Sequence, residues 1–145
     1  MNMAVDEAVL KTVEAGAAPN TVRFWMNQNA IIIGRFQDVS EVNTEACIRF
    51  CTPIVRRFTG GGAVYHDRGN LNWTIVVDKS HPLLSKDVFS VYSILCRPIV
   101  EGLKLLNIDA EFKSPNSIQV NKKKISGMAM YVGRRAILCH GTLLV

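Results

Sequence analysis

The stretch Arg56-Arg57-Phe58-Thr59-Gly60-Gly61-Gly62-Ala63-Val64-Tyr65-His66-Asp67 holds the densest set of residues able to do chemistry. Three consecutive glycines between strand-like segments cost chain entropy and add no packing. Their use is to let a backbone approach a ligand closely and aim N–H groups at it. The two arginines ahead of them bring forked donors suited to a carboxylate or a phosphate. The spacing is neither G-x-x-x-x-G-K-[ST] nor G-x-G-x-x-G, and a plain glycine hairpin beside surface arginines is the competing explanation. In Asn121-Lys122-Lys123-Lys124-Ile125-Ser126-Gly127, Lys122 and Lys123 read as a solvated turn. Lys124 differs, because a lysine at a strand entrance ahead of Gly127 can point into a cleft. Cys139-His140-Gly141-Thr142 puts a lone histidine in an apolar strand, ordinarily a satisfied core residue.

The four cysteines (Cys47, Cys51, Cys96, Cys139) form no C-x-x-C pair, and no histidine stands at zinc-finger spacing. Buried reduced thiols are expected and no protein metal site, with Cys47 and Cys51 on one helix face.

The elements that must position these groups follow from periodicity. Val5, Ala8, Val9, Thr12 and Val13 predict one face of a helix over 2–15, stopped by Gly16. Val22, Phe24 and Met26 alternate with Arg23 and Trp25 as in a strand. Ala30–Ile33 reads as a more buried strand, and Asn43 or Thr44 can cap a short helix through Phe50. Pro53–Arg57 and Ala63–His66 read as strands on either side of the glycine turn, followed by a strand over Leu71–Asp78. Val88, Tyr92, Leu95, Ile99, Leu103 and Leu106 mark a helix over 85–106, with a kink expected at Pro98. Four short strands follow over 110–145, turning at Asn121-Lys122 and Gly133-Arg134. Strands cluster rather than alternate with helices, so the expected class is α+β, a mixed, mostly antiparallel sheet packed with helices.

The chain has 145 residues, 48% apolar and 20% charged, with a net charge of +5. That composition builds one globular domain over 1–145 and excludes a disordered tail or a disulfide scaffold. No apolar run approaches a membrane span, and the acidic start lacks a signal-peptide pattern. A cytoplasmic protein without membrane or nucleic-acid partners is therefore expected. The opening directly in a helix and the apolar close Thr142-Leu143-Leu144-Val145 suggest part of a larger catalytic unit.

Six ordered motifs together resemble the lipoate–protein ligases. They are Asn2-Met3-Ala4-Val5-Asp6-Glu7-Ala8, Ile33-Gly34-Arg35-Phe36-Gln37, the arginine–triple-glycine stretch, Gly69-Asn70-Leu71-Asn72, Lys124-Ile125-Ser126-Gly127 and His140-Gly141-Thr142-Leu143-Leu144. The resemblance implies the biotin/lipoate ligase, class II synthetase-like catalytic fold. It also implies two-step chemistry: lipoate and ATP, as its Mg²⁺ complex, give lipoyl-adenylate, and the lipoyl group passes to a lysine of an acceptor domain. Acceptors would be E2 subunits of 2-oxoacid dehydrogenases and the glycine cleavage H protein. A second ligase chain or a C-terminal accessory domain is a further implied partner.

Carried over residue by residue, Lys124 matches the family's essential lysine. Glu7, Arg57, Thr59, Val64, His66, Ala129 and His140 fall at ligand-contact positions. Gly60, Gly61 and Gly62 would bring N–H groups to the acyl and phosphate portion, and Trp25 would line the acyl tunnel. Asn116-Ser117 stands where the family commonly has Asn-Asp near the nucleotide and its metal, and Cys139 replaces the first histidine of a His-His-Gly pattern. Two other classes compete: an ATP-independent octanoyltransferase acting through a cysteine, and a non-catalytic lipoate- or biotin-binding subunit. The segment Lys113-Ser114-Pro115-Asn116-Ser117 lacks the cysteine that the transferase branch nearest the ligases carries shortly before its lysine motif.

Overall fold

The computed structural model describes residues 2–84 and 87–145. Its elements run α1 (Asn2–Glu14), β1 (Thr21–Trp25), β2 (Asn29–Ile33), α2 (Thr44–Arg49), β3 (Ile54–Arg56), β4 (Val64–Asp67), β5 (Asn70–Asp78), α3 (Val88–Leu105), β6 (Ala110–Lys113), β7 (Ser117–Val120), β8 (Lys123–Val132) and β9 (Ala136–Leu144), with a 3-10 turn at Val39–Glu41. The expected order of helices and strands and the α+β class hold. The first two residues of the expected long helix, 85 and 86, and the side chain of Val88 lie outside the described residues.

A six-stranded antiparallel sheet has the order β1-β5-β9-β8-β7-β6. A three-stranded sheet has the order β3-β2-β4, β2 being parallel to β3 and antiparallel to β4. The strands flanking the triple glycine therefore do not form a hairpin with each other. β2 lies between them, and its isoleucine run suits a central, buried strand.

One face of the large sheet carries Trp73, Ile75, Ile118, Met128, Ile137, Cys139 and Leu143, packed with Val91, Leu95, Cys96, Ile99 and Val100 of α3. α3 starts at Asp87, whose side chain accepts from the Ser90 N–H, an ordinary N-cap. Leu106, expected on the buried stripe, is instead the exposed C-cap. The opposite face takes α1, which ends at Gly16 with φ +69°.

One sequence expectation about faces is overturned in part. α1 buries Met3, Asp6, Leu10 and Val13; of the expected face Val13 is buried and Val9 packs beside it, while Val5, Ala8 and Thr12 are exposed. The helix is turned so that the Asp6 carboxylate reaches partners on the sheet. In β1 the expected alternation holds: Val22, Phe24 and Met26 are exposed, while Trp25 is buried and Arg23 lies over the sheet with it. Cys51 also departs from expectation. It lies past the end of α2 at φ +50°, exposed, while Cys47 is buried. The last two strands, of 10 and 9 residues, are longer than the short ones expected.

Candidate functional site

Cross-strand partners share a face, so the register writes the site as three parallel rows on the α1 side of the large sheet. The first row, Tyr131–Leu138–Val76–Thr21, is mostly apolar and lies under Leu10 and Val13 of α1. The second, Ala129–His140–Thr74–Arg23, carries the polar centre. The third, Ser117–Gly127–Thr142–Asn72–Trp25, forms the floor of a cavity of about 350 Å³.

Over the second row sits Asp6, fully buried. Its Oδ1 accepts from Arg23 Nη1 at 2.6 Å, and its Oδ2 accepts from the Thr74 hydroxyl at 2.9 Å. His140 Nδ1 lies 3.3 Å from Oδ2 and its Nε2 lies 2.7 Å from Thr59 Oγ1. A carboxylate only accepts, so Nδ1 points a proton at Asp6, while Nε2 pairs with the Thr59 hydroxyl. The network ties α1, β1, β5, β9 and the glycine segment together. Sequence reasoning missed Asp6. Asp6 and Asn72 were named only as members of motifs, with no role, and Thr74 carried no signal.

The cavity walls include Met3, Trp25, Ile32, Val64 and Ala129, an apolar lining with few polar anchors. Of the residues expected at a site, Lys124, Arg57, Gly60, Gly61, Val64, His66, Ala129, His140 and Trp25 all line it. Thr59 stands behind His140, 1% exposed. Gly62 does not line the cavity, and its carbonyl accepts from Arg57 Nη2 at 2.9 Å. Glu7 pairs with Lys11 at 2.7 Å and borders a neighbouring cavity of about 440 Å³, which Arg57 separates from the first. Asn116 lies outside, its amide donating to the Met128 carbonyl at 2.7 Å. Ser117 also lies outside, but opposite Gly127 at the end of the third row.

Arg57 does not use its fork on an acid. Nε and Nη2 donate to the Gly60 carbonyl at 3.2 and 2.7 Å, and Nη1 donates to the Ile32 carbonyl at 3.2 Å. With the Gly62 bond, the buried guanidinium clamps the glycine segment against β2, and burial pulls its pKa below the usual value. Arg56 does the same for the loop after β2, donating to the carbonyls of Gly34, Arg35 and Gln37.

Lys124 reaches the cavity through a β-bulge. Register shifts between Ile118 and Gln119, so Ile118 pairs with Ser126 and Gln119 with Lys124, leaving Ile125 extra. Residues three apart in a regular strand face opposite ways, but this bulge sets Lys124 and Gly127 on one face. A Cβ at Gly127 would lie 3.2 Å from Lys124 Nζ and Cε, so the ammonium lies directly over that glycine. The hairpin before it turns at Asn121 and Lys122, with φ +49° and +63°, at the turn expected from sequence.

His66 is buried with Nδ1 3.2 Å from the Asn27 amide nitrogen and Nε2 3.0 Å from Thr142 Oγ1. Burial first, then the charges of Arg57 and His140, lowers its pKa to about 4. None of the four cysteines lines the cavity. Cys139 lies on the opposite, α3 face, and burial raises its thiol pKa, as it raises that of Cys96 to about 12. Among the described residues no group of three or more His, Cys, Asp or Glu gathers to hold a metal, and no helix is long and apolar enough to cross a membrane.

The site is thus an apolar cavity with a lysine at its mouth, set in an α+β domain. The chain belongs to the lipoyl protein ligase A/B catalytic domain family, which matches residues 1–145. It is 35% identical over 99% of its length to a probable lipoate-protein ligase A of Mycoplasma pneumoniae, of which it covers 41%. It is 36% identical to an octanoyltransferase of Geobacillus kaustophilus over 99% of its length, covering 60% of that protein. The chain thus spans about half the length of these relatives. A bipartite lipoate protein ligase from Thermoplasma acidophilum, studied with its E2 lipoyl domain, superposes with a TM-score of 0.89 at 32% identity, over 99% of this chain and 56% of that one. A T. acidophilum protein with bound lipoic acid gives 0.87 at 31%, over 99% and 62%. A lipoate-protein ligase A bound with ATP gives 0.86 at 31%, over 99% and 60%. The fold is therefore that of the lipoate–protein ligases.

Proposed function

We propose that this chain is the catalytic domain of an ATP-dependent lipoate–protein ligase. The observation that carries the reading is the Lys124 ammonium over Gly127 at one end of an apolar cavity floor. From Gly127 the row crosses two strands to Asn72, about 10 Å at ordinary strand spacing. That is about the reach of an eight-carbon acid held by its carboxylate at Lys124, with its tail among Trp25, Ile32 and Met3.

In the first step a lipoate carboxylate oxygen attacks the α-phosphorus of ATP and pyrophosphate leaves. Two anions must approach, so catalysis is chiefly positioning and charge neutralisation. A fixed ammonium between carboxylate and phosphate would lower that barrier by about 3–4 kcal/mol. Gly60 and Gly61, held by Arg57, would present N–H groups to the same oxygens. In the second step the amine of an acceptor lysine attacks the acyl carbonyl, AMP leaves, and the amide forms after loss of a proton. Ser117, next to Gly127 in the row, would stand on the nucleotide side. Mg²⁺ would arrive on the ATP phosphates and be completed by water.

Lipoyl domains of 2-oxoacid dehydrogenase E2 subunits and the glycine cleavage H protein are the proposed acceptors, and the cytoplasm is the proposed compartment, where four unpaired cysteines are at home. Residues 1–145 would work with a second chain or accessory domain, a reading supported by relatives about twice as long. An acyl-thioester mechanism is disfavoured because no thiol lines the cavity.

The test uses the chain together with its accessory part. Lys124→Ala should abolish lipoate-dependent pyrophosphate release, and Lys124→Arg should largely fail as well, since a planar guanidinium does not reproduce a compact ammonium. Pyrophosphate release surviving Lys124→Ala, or acyl transfer without ATP, would overturn the ligase reading.

A further inference from the structure

Three cavities meet at one side chain. Met3 lines the site cavity of about 350 Å³, the neighbouring one of about 440 Å³ beside Glu7, and a third of about 450 Å³ bordered by Asn27, Asn29 and Pro53. Ile32 is shared by the first and third and Arg57 by the first and second; among the described residues, Met3 is common to all three. Its place is set by its neighbour in the chain. The Asn2 side chain bonds to the Arg23 guanidinium, to the Met26 carbonyl at 3.2 Å and to Asn27 Oδ1 at 2.9 Å, which holds the first turn of α1 across the end of β1. There Met3 is 7% exposed and packs in one cluster with Trp25, Ala30 and Ile32.

Trp25 ends the floor row that passes Gly127 and Lys124, so this cluster closes the far end of the cavity. An eight-carbon acid held at Lys124 reaches about 10 Å, to the strand that carries Asn72, and there meets the end wall. A longer chain needs room past that wall. Most of the wall is fixed. The Trp25 indole donates to the Thr74 hydroxyl at 3.1 Å. Ile32 is a stiff β-branched residue of a strand paired on both sides, 2% exposed. Arg57 is tied to the carbonyls of Ile32, Gly60 and Gly62. Met3 is the exception, an unbranched, adaptable side chain that fills the junction by packing alone.

We propose that Met3 is a specificity-determining residue that stops the far end of the acyl cavity and limits the bound acid to a chain of about eight carbons, the length that fits between Lys124 and this wall. The proposal rests on the reading of this cavity as the acyl site. A large-to-small change at a packed position leaves a void, because the surroundings relax only in part. Met3→Ala would therefore join the site cavity to its two neighbours and admit longer acids.

Two measurements test it, both on the chain with its accessory part. By calorimetry, decanoate should bind the wild type about tenfold or more weakly than octanoate, the scale of a misfit methylene in an apolar pocket. Met3→Ala should raise the decanoate-to-octanoate affinity ratio by about tenfold or more, whereas Met3→Leu, of similar volume, should keep the wild-type preference. In the wild type, the assigned methyl resonance of Met3 and the backbone amide of Gly127 are followed by NMR as butanoate or octanoate is added, with and without ATP. Both acids should move Gly127, and octanoate alone should move Met3. Equal binding of decanoate and octanoate by the wild type, or an unchanged ratio in folded Met3→Ala, overturns the proposal. So does a Met3 methyl that octanoate leaves in place, or that butanoate moves equally, while Gly127 responds; the ligase reading then stands. If neither acid moves Gly127 under any condition, the cavity is not the acyl site and both fail. The NMR comparison decides the matter even if Met3→Ala does not fold.

Discussion

His66 and Arg57 are both buried beside the same cavity, and each is held by neutral partners rather than by an acid. For Arg57 this means that its charge is spread over backbone carbonyls, leaving the glycine segment rigid where flexible chain would otherwise be expected. For His66 it means a neutral ring across the physiological range. The unfolded ring takes a proton near pH 6.5, the folded ring only near 4. Between these values the unfolded state binds more protons, so the stability present above about pH 6.5 is lost as pH falls toward 4. Urea midpoints at pH 7, 5.5 and 4.5 should therefore decline in the wild type. His66→Gln should show a flatter decline over that window, and an unchanged slope would mean that another group sets it.

The β7–β8 hairpin is the element on which the proposed chemistry turns. Its two-residue turn fixes the register, and the bulge at Ile125 absorbs the residue that would otherwise put Lys124 on the α3 face with Ser126. Gly127 then leaves the space that the ammonium occupies. Gly127→Ala places a methyl group 3.2 Å from Lys124 Nζ and Cε, closer than an ordinary contact. Its backbone is not left-handed, so alanine is tolerated there and stability should hold or rise by about 0.5 kcal/mol. The lysine end must move instead. Adenylate formation should fall about tenfold or more, since small displacements of a charge from the reacting oxygens are costly. A melting curve beside a pyrophosphate assay separates these effects. Full activity in Gly127→Ala would show that the ammonium does not need this seat.

In the molecule as a whole, α3 closes one face of the large sheet chiefly by apolar packing, while the other face is closed by a mixture of packing and a buried ionic network. Asp6 is the hub of the latter, joining the first helix to β1, β5 and β9, and through His140 to Thr59 beside the small sheet. Asp6→Ala removes the acidic partner of Arg23, whose side chain is only 20% exposed and keeps only neutral Asn2 oxygens. Breaking one side of such a pair costs about 3–5 kcal/mol, a large part of a domain's usual 5–15 kcal/mol. Equilibrium urea unfolding should show that loss. Asp6→Asn, which keeps an acceptor for Thr74, should lose less. A cost below about 1 kcal/mol for Asp6→Ala would mean that apolar packing alone docks α1.

Local physics was enough for much of this protein. The Asn43 cap, the Gly16 stop, the Asn121-Lys122 turn and the order of the elements depend on backbone preferences of a few adjacent residues, and these are readable in the sequence. The lysine and glycine motifs could likewise be picked out, because their residue types have few structural uses. What the chain alone did not determine were the faces. In α1 an apolar face and a face containing Asp6 were both available, and the choice depended on Arg23, Thr74 and His140 waiting 17 to 134 residues away. In β1 the apolar alternation pointed outward because Arg23 and Trp25 had partners on Asp6 and Thr74. The arginines before the glycines carried no mark that they would bind carbonyls rather than an anion. A hydrogen bond or ion pair between remote residues forms only where the sheet register brings them within about 3 Å, and that register is a property of the assembled strands.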